Sequence, residues 1–244
     1  MGARRESMRH VRFAVADEVF AAVPGLRIAL VIAEGAKNDG TNAAVEQLLT
    51  EAWQSAGVSA AEFGNAQSHP RVAPWRETFR QIGVSGRQFP SSIEALLRRA
   101  LKGGEPVRVN PLVDFYNAIS LRHIVPAGGF DLDALPELIE LRMTRAGDRF
   151  RALGEESEID VSAGEIAYAS DSTILTRHIV WRQSECGLIT TRTSRVMLVS
   201  ETLGALGPGV AETVREEFAR GLQEFFGVSS RTWIVSADSP DVEW

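Results

Sequence analysis

The order of helical and β patterns along the chain most constrains its fold. In the first half, apolar residues recur at helical spacing over residues 41–56, 74–82, 92–101 and 111–119, and residues 26–33 form one buried strand pattern. The second half is rich in strand patterns, at residues 138–144, 165–169, 174–182, 188–191 and 195–200. A long helix over residues 208–226 and a strand over residues 232–237 follow. This order predicts an α+β fold: a mixed, largely antiparallel sheet with helices packed around it in a single compact domain.

Charge and cysteine content restrict the classes of function. The 244 residues carry a net charge of −6, which argues against coating DNA or RNA through a broad basic surface, although a partner contacted at one end remains possible. The single cysteine, Cys186, excludes an internal disulfide and indicates a reducing compartment. The longest apolar run, residues 28–33, is too short to cross a membrane, and no signal-peptide pattern follows residue 7. We therefore expect a cytoplasmic protein that binds neither DNA nor membranes.

The stretch from residue 106 to residue 133 combines a helix with a glycine turn. A short β-type run at residues 106–109 precedes Asn110-Pro111, which predicts a capped helix start. The helix has an apolar stripe, and on its opposite side Asn110, Asp114 and Asn117 fall together, with Ser120 further round. An extended segment at residues 123–125 and a turn with two glycines at residues 126–131 come next. The pattern fits a polar stripe facing a glycine-lined wall, or simply a solvated helix face followed by an ordinary turn.

Several strong chemical signatures are missing. Residues 35–40 have the glycine spacing of a phosphate loop, but Thr41-Asn42 stands where Lys-Ser/Thr is required. No G-x-S-x-G elbow is present, and the four histidines are scattered. Cys186 lies in a turn as a packing thiol, and His178 alternates with Val180 in a strand pattern. The sequence therefore predicts no cofactor and no metal site.

Short motifs follow one another in order between residues 76 and 201. Two of them are Val109-Asn110-x-Leu112-Val113-Asp114-x-x-Asn117-x-x-Ser120-Leu121 and Pro126-x-Gly128-Gly129-x-Asp131-Leu132. The others are Phe79-x-x-x-Gly83, Pro90-Ser91-Ser92, Leu97-Arg98-Arg99, Gly164-Glu165-Ile166-x-Tyr168, Arg177-x-x-x-Trp181-Arg182, Thr193 and Glu201. The series resembles the editing module of the phenylalanyl-tRNA synthetase β subunit, and more closely the freestanding single-domain relatives of that module.

The resemblance implies a pocket that hydrolyses the ester between a wrong amino acid and the 3′ end of a tRNA. Asn117 and Asp131 stand where the synthetase motif has its asparagine and aspartate, and Gly128 replaces a histidine, which removes a side chain from the pocket wall. The predicted catalytic residues are Asn117, Asp131 and Asp114, with either aspartate holding the substrate's α-ammonium group. The predicted substrate-binding residues are Ser120, Gly128, Gly129, Glu165, Trp181 and Arg182.

Some of these assignments have alternatives. Gly128 and Gly129 could offer backbone N–H groups to the ester carbonyl. Arg182 could pair with a terminal tRNA phosphate, or with Glu165 or Asp171. Asn117 could instead be a structural tie, and Trp181 could belong to the core.

Two functions of different class are compatible with these residues. The first is a trans-editing hydrolase acting on a mischarged tRNA; the second is a non-catalytic module that binds a free amino acid or the aminoacylated tRNA 3′ end. A purely structural domain would leave Asp114 and Asn117 without a role. Residues 1–25 are predicted to be an N-terminal extension and residues 26–244 the editing-type domain, with the oligomeric state left open.

Overall fold

The computed structural model describes residues 11–207 and 209–244, in which helices and strands follow one another along the chain. The helices are α1 Asp17–Ala22, α2 Ala43–Ala61, α3 Ala73–Gln81, α4 Ser92–Leu101, α5 Pro111–His123 and α6 Gly209–Phe226. The strands are β1 Arg12–Val15, β2 Arg27–Glu34, β3 Gly128–Asp131, β4 Leu138–Met143, β5 Arg149–Phe150, β6 Ile159–Asp160, β7 Ile166–Ser170, β8 Thr173–Arg177, β9 Arg182–Gln183, β10 Arg195–Thr202, β11 Ser230–Val235 and β12 Asp241–Glu243.

The strands form two sheets. The larger has the order β12-β1-β4-β7-β8-β5-β6, with β9 paired to β8, and the smaller has the order β11-β2-β10-β3. Only the β1–β4 and β5–β8 pairs among the described strands are parallel. The predicted α+β fold with a mixed, largely antiparallel sheet in one compact domain is therefore confirmed, with the strands divided between two sheets.

Strand β2 lies at the centre of the smaller sheet and is buried on both faces. Ile28, Leu30 and Ile32 pack into the core between the two sheets, whereas Ala29 and Val31 pack against α5 and α6. Successive side chains of a strand point to opposite faces, so a strand covered on both sides has no polar alternation. This explains the continuous apolar run at residues 28–33, and the assignment of residues 26–33 to a buried strand is confirmed.

Helix α5 begins where the sequence predicts. The Asn110 Oδ1 atom accepts a hydrogen bond from the Val113 N–H at 3.1 Å, and Pro111 occupies the first helical position. Asn38 reinforces this start, because its Oδ1 accepts from the Leu112 N–H at 2.8 Å while its Nδ2 donates to Asn110 Oδ1 at 3.0 Å. A buried pair of asparagines thus fixes the direction in which α5 leaves the loop.

Helix α2 is longer than the sequence predicts because Gly57 does not end it. A Cβ atom at Gly57 would lie 2.8 Å from the Ala100 carbonyl oxygen of α4. The glycine therefore permits close packing of two helices rather than terminating one.

Five segments differ from the predicted elements. Residues 106–109 and 188–191 form no strand, because neither finds a partner strand among the described residues. His123 is the last residue of α5, and Ile124 follows it in a left-handed conformation instead of an extended one. The strand predicted over residues 174–182 is interrupted by a turn at His178 and Ile179, both with positive φ. The predicted glycine turn at residues 126–131 contains β3.

The sequence Ser91-x-x-Glu94 has the pattern of a capping box, but that box is only half formed. Ser91 Oγ accepts from the Glu94 N–H at 3.3 Å, as the pattern requires. The Glu94 carboxylate, however, pairs with Arg76 and Arg98. The Ser92 N–H donates to the Val180 carbonyl oxygen at 2.7 Å, which ties α4 to the turn after β8.

Two predictions concern residues that the structure does not describe. The start of the last helix at Pro208 lies outside the described residues, as do residues 1–10 of the predicted extension. Strand β1 pairs with β4 and β12, while the domain boundary at residue 26 stays a prediction. No helix in the described part of the chain is long and apolar enough to cross a membrane.

Candidate functional site

A cavity of about 330 Å³ opens where the free edge of the smaller sheet faces α4, α5 and the turn after β8. Strand β3 is the edge strand, and no further strand in the described part of the chain covers its outer side. The cavity walls are mainly apolar and aromatic, with Leu96, Val107, Phe130, Ile179 and Trp181 among them. Its polar groups include those of Asn117, Thr176, Gln183, Tyr168 and Glu201. An apolar cavity with a few convergent polar groups is the usual form of a small-molecule site.

Asn117 is the member of the predicted polar stripe that reaches this cavity. It is half-buried on α5, and its side-chain amide makes no hydrogen bond to any residue within 11–207 or 209–244. An amide can donate and accept at once, so this group is free to bind a ligand. The alternative of a structural tie through the Asn117 side chain finds no hydrogen-bonded partner among these residues.

Gly128 and Gly129 form the opposite wall. A Cβ atom at Gly128 would meet nothing within 4 Å, whereas one at Gly129 would lie 2.7 Å from the Ile189 side chain and 2.8 Å from that of Leu198. Gly128 therefore leaves open space in the cavity, and Gly129 permits close packing behind β3. The two glycines have different physical roles.

The backbone N–H and C=O groups of Gly129 are directed away from the neighbouring strand β10. Its carbonyl oxygen accepts from Gln183 Nε2 at 2.9 Å rather than from the paired strand β10. The N–H and C=O of one residue in an antiparallel strand point to the same side, so the Gly129 N–H is also directed outward. The N–H of Asp131, two residues on, follows the same pattern and donates to the Gly187 carbonyl oxygen at 2.9 Å. Of the two glycines, Gly129 is thus the one whose N–H lies on the outer edge of β3, beside the cavity that both glycines line.

Glu201 supplies a buried carboxyl group on the cavity wall. It lies on β10 on the same face as Met197 and Val199, is 3% exposed, and accepts a hydrogen bond from the Tyr168 hydroxyl across the two sheets. Burial raises the pKa of Glu201 to about 7, and the Tyr168 hydrogen bond opposes this rise. Among the described residues it is the one carboxylate that lines the cavity. It can therefore exchange a proton near neutral pH.

Trp181 lines the cavity and also belongs to an aromatic cluster. Its ring centroid lies 4.7 Å from that of Phe89 and 5.6 Å from that of His178. The turn that presents it holds Ile179 at a φ of 62°, which is rare for a β-branched residue. Packing and cavity lining are thus both roles of Trp181.

Asp114 and Ser120 lie away from the cavity. Asp114 is 4% exposed and its Oδ1 accepts from the Val109 N–H at 2.9 Å, while burial raises its pKa. The Ser120 hydroxyl donates to the Val125 carbonyl oxygen at 2.6 Å and is fully buried. Both side chains hold the ends of α5 to neighbouring loops.

Asp131 also faces another part of the molecule. Its Oδ2 accepts from the Thr193 hydroxyl at 2.6 Å and its Oδ1 from the Asp133 N–H at 3.0 Å. These bonds secure the loop before β10. The structure thus brings Asn117, Gly128, Gly129 and Trp181 together but not Asp114 or Asp131.

Glu165 and Arg182 lie outside the cavity lining as well. Glu165 pairs with Arg177 at 2.6 Å and accepts from the His178 N–H at 2.9 Å. Arg182 donates to the Leu153 carbonyl oxygen at 3.1 Å and lies 3.6 Å from Glu155, not beside Glu165 or Asp171. Arg177 also stacks over the Trp181 ring at 5.6 Å, so Glu165 supports the cavity wall indirectly.

Two cavity residues, Tyr168 and Glu201, were not among the predicted site residues. Both occur in the ordered motifs, but they lie on different strands 33 positions apart. One signal was available: Glu201 interrupts a strand of apolar and hydroxyl residues, and a buried acid in such a strand needs a partner.

Comparison with known proteins places the chain in a family. The B3/4 domain family matches residues 74–223, which is more than half of the chain. A crystal structure of an N-terminal fragment of the phenylalanyl-tRNA synthetase beta subunit from Pyrococcus horikoshii is similar at 15% identity and a TM-score of 0.45. The alignment covers 96% of this chain and 54% of that fragment, so the chain spans about half of the fragment's length.

A comparison with curated proteins finds no match. The predicted relationship to the synthetase β-subunit module is confirmed at the level of the domain family. This chain belongs to the B3/4 domain family.

Proposed function

We propose that this protein hydrolyses the ester bond between a wrong amino acid and the 3′ end of a mischarged tRNA. The observation that carries the proposal is the cavity in which the amide of Asn117, unpaired among the described residues, faces a glycine wall with an outward N–H group at Gly129. Membership of the B3/4 family and the ordered motifs around this cavity support it.

The chemistry requires placement more than a strong nucleophile. An aminoacyl ester is already activated, so water can attack its carbonyl carbon once it is oriented. The carbonyl becomes an oxyanion, the bond to the ribose oxygen breaks, and that oxygen takes up a proton from the water. Asn117 orients the water or the ester, and the Gly129 N–H stabilises the oxyanion.

Glu201 takes over the role that the sequence assigned to Asp114 or Asp131. Its carboxylate lines the cavity. In its ionised form this carboxylate accepts a hydrogen bond from the α-ammonium group of the amino acid. The negative charge of the carboxylate would then be balanced inside the cavity.

A non-catalytic binding module is the second candidate. The observation that favours it is the engagement of both predicted aspartates in hydrogen bonds outside the cavity, which leaves no carboxylate beside Asn117 on α5 or β3. Such a protein would bind a free amino acid or a charged tRNA end and release it unchanged.

A deacylation screen tests the proposal. Purified protein is incubated with tRNAs that carry matched and mismatched amino acids, beside Asn117→Ala and the control Asn65→Ala. Asn65 only caps a short helical turn at residues 66–68, where its Oδ1 accepts from the Ser68 N–H at 2.9 Å. We expect Asn117→Ala to lower kcat/KM about 100-fold, as loss of one transition-state donor does in other hydrolases, with Asn65→Ala unchanged.

Two outcomes would contradict the hydrolase. Full activity of Asn117→Ala would remove the residue on which the mechanism depends. Absence of turnover by the folded wild-type protein on every charged tRNA, together with saturable binding, would establish the binding module.

A further inference from the structure

Two cations, Arg99 in the cavity lining and Lys102 at the end of α4, have no acidic partner within 4 Å among the described residues. Ser92, Ala95, Leu96 and Arg99 recur at helical spacing on α4 and line the cavity, and Lys102 follows Arg99 one turn later. Arg99 donates only to the Ala95 carbonyl oxygen, at 3.3 Å. Neither Arg99 nor Lys102 lies within 4 Å of an acidic group in the described part of the chain, whereas their neighbour Arg98 pairs with Glu94. The protein as a whole has a net charge of −6, so two cations that no acidic group of the described residues balances stand out on its surface.

Two exposed valines lie beside these cations. Val107 is 65% exposed and Val109 is 60% exposed, yet both line the cavity. Their segment is held in place at each end, since Trp53 Nε1 donates to the Gly104 carbonyl oxygen at 3.0 Å and the Val109 N–H donates to Asp114. This arrangement also explains why Asp114 is buried beneath the segment. Two apolar side chains are thus held in solvent by a segment that is fixed at both ends.

We propose that Arg99, Lys102, Val107 and Val109, together called the mouth surface, bind the single-stranded 3′ end of the tRNA. An amino acid in the cavity leaves its ribose and the preceding phosphates at the mouth. Arg99 and Lys102 contact the phosphates, and the terminal nucleotide packs against Val107 and Val109. This inference rests on the proposed function, because it takes the aminoacyl ester to occupy the cavity.

The charges predict a shallow dependence on salt. Two phosphate contacts to a single strand give a slope of log K against log salt of about −1.4, at roughly −0.7 per contact. Glu105 is exposed in the same segment and opposes phosphate binding. Its removal should act in the opposite direction from removal of the cations.

The experiment compares the double variant Arg99→Gln/Lys102→Gln with two single variants. Arg231→Gln is the matched control, because Arg231 is exposed, has no acidic partner within 4 Å among the described residues, and lies on β11 at the far edge of the smaller sheet. Glu105→Gln tests the sign of the charge effect. The readouts are Kd for uncharged tRNA at several salt concentrations, and hydrolysis of aminoacyl-tRNA and of aminoacyl-adenosine, which has no phosphate.

For the double variant we expect Kd and KM for tRNA to rise about 10-fold and the salt slope to become shallower by about 1.4. Its hydrolysis of aminoacyl-adenosine should be unchanged. Arg231→Gln should match the wild type, and Glu105→Gln should bind more tightly. A double variant with wild-type Kd and salt slope overturns the inference, as does an equal loss toward the phosphate-free substrate.

Failure of the proposed function has a different signature. The wild type would then hydrolyse neither substrate, while the tRNA-binding measurements would still decide the role of Arg99 and Lys102. Binding that is salt-dependent and weakened in the double variant would retain the mouth surface as an RNA site without catalysis.

Discussion

Replacement of Glu201 by glutamine should change how the stability of the protein depends on pH. The carboxyl group is almost fully buried against Tyr168, and burial raises its pKa from 4.5 to about 7. A carboxyl group with a higher pKa in the folded state binds more protons there than in the unfolded chain. Its contribution to stability is therefore fully present below pH 4.5 and is lost as the pH rises toward and through 7.

The size of the effect follows from the two pKa values. Each pH unit between 4.5 and about 7 corresponds to about 1.4 kcal/mol, so ionisation of Glu201 lowers the free energy of unfolding by about 3 kcal/mol between pH 4 and pH 8. Glutamine keeps an oxygen that can accept from the Tyr168 hydroxyl but cannot ionise. The free energy of unfolding of Glu201→Gln minus that of the wild type should rise by about 3 kcal/mol over this range.

Urea unfolding followed by tryptophan fluorescence at several pH values measures this difference. Comparison with the variant isolates Glu201 from His69 and His178, whose pKa values are lowered by burial and which act in the opposite direction. Tyr168→Phe provides a second check, because loss of the hydrogen bond that lowers the Glu201 pKa should move the transition to higher pH. Parallel pH profiles for the wild type and Glu201→Gln would refute the assignment of a raised pKa to this carboxyl group.

Two further predictions concern the glycines of β3 and the cap of α5. Gly128→Ala should fold with wild-type stability and fill part of the cavity, whereas Gly129→Ala should lower the free energy of unfolding by about 1–3 kcal/mol, because its Cβ atom collides with Ile189 and Leu198; equal melting temperatures of the two variants would contradict this. Asn110→Ala should cost about 2–3 kcal/mol, since it removes the cap of α5 and leaves buried partners on Asn38 and Ile189 unpaired. Urea unfolding measures this loss beside that of Asn42→Ala, which removes the half-buried cap of α2. A smaller loss of unfolding free energy for Asn110→Ala than for Asn42→Ala would contradict the role of the asparagine pair.

Local sequence signals predicted the elements whose causes are local. The Asn110-Pro111 start of α5 needs only a side-chain acceptor and a ring at adjacent positions, and it forms as predicted. The apolar run at residues 28–33, which lacks the polar alternation of a half-exposed strand, predicted a buried strand, and β2 forms there. By contrast, residues 106–109 are of strand-forming types but find no partner strand among the described residues, and they form a loop.

The membership of the site depended on tertiary structure. Periodicity placed Asn110, Asp114 and Asn117 on one side of α5, yet only Asn117 reaches the cavity, because the loop at residues 104–109 covers Asp114. Glu201 enters the cavity because β10 lies between β2 and β3 and faces Tyr168 of the other sheet.

The sequence by itself therefore determined the α+β class, the capped helix and the ordered motifs of the family, since these depend on neighbours within a few residues. Only the tertiary structure decided which polar groups share one cavity and which carboxyl group is buried there. Those properties arise from contacts between strands and helices that are distant in the chain. The periodic position of a residue follows from its neighbours in sequence, whereas its burial depends on which distant segments cover it.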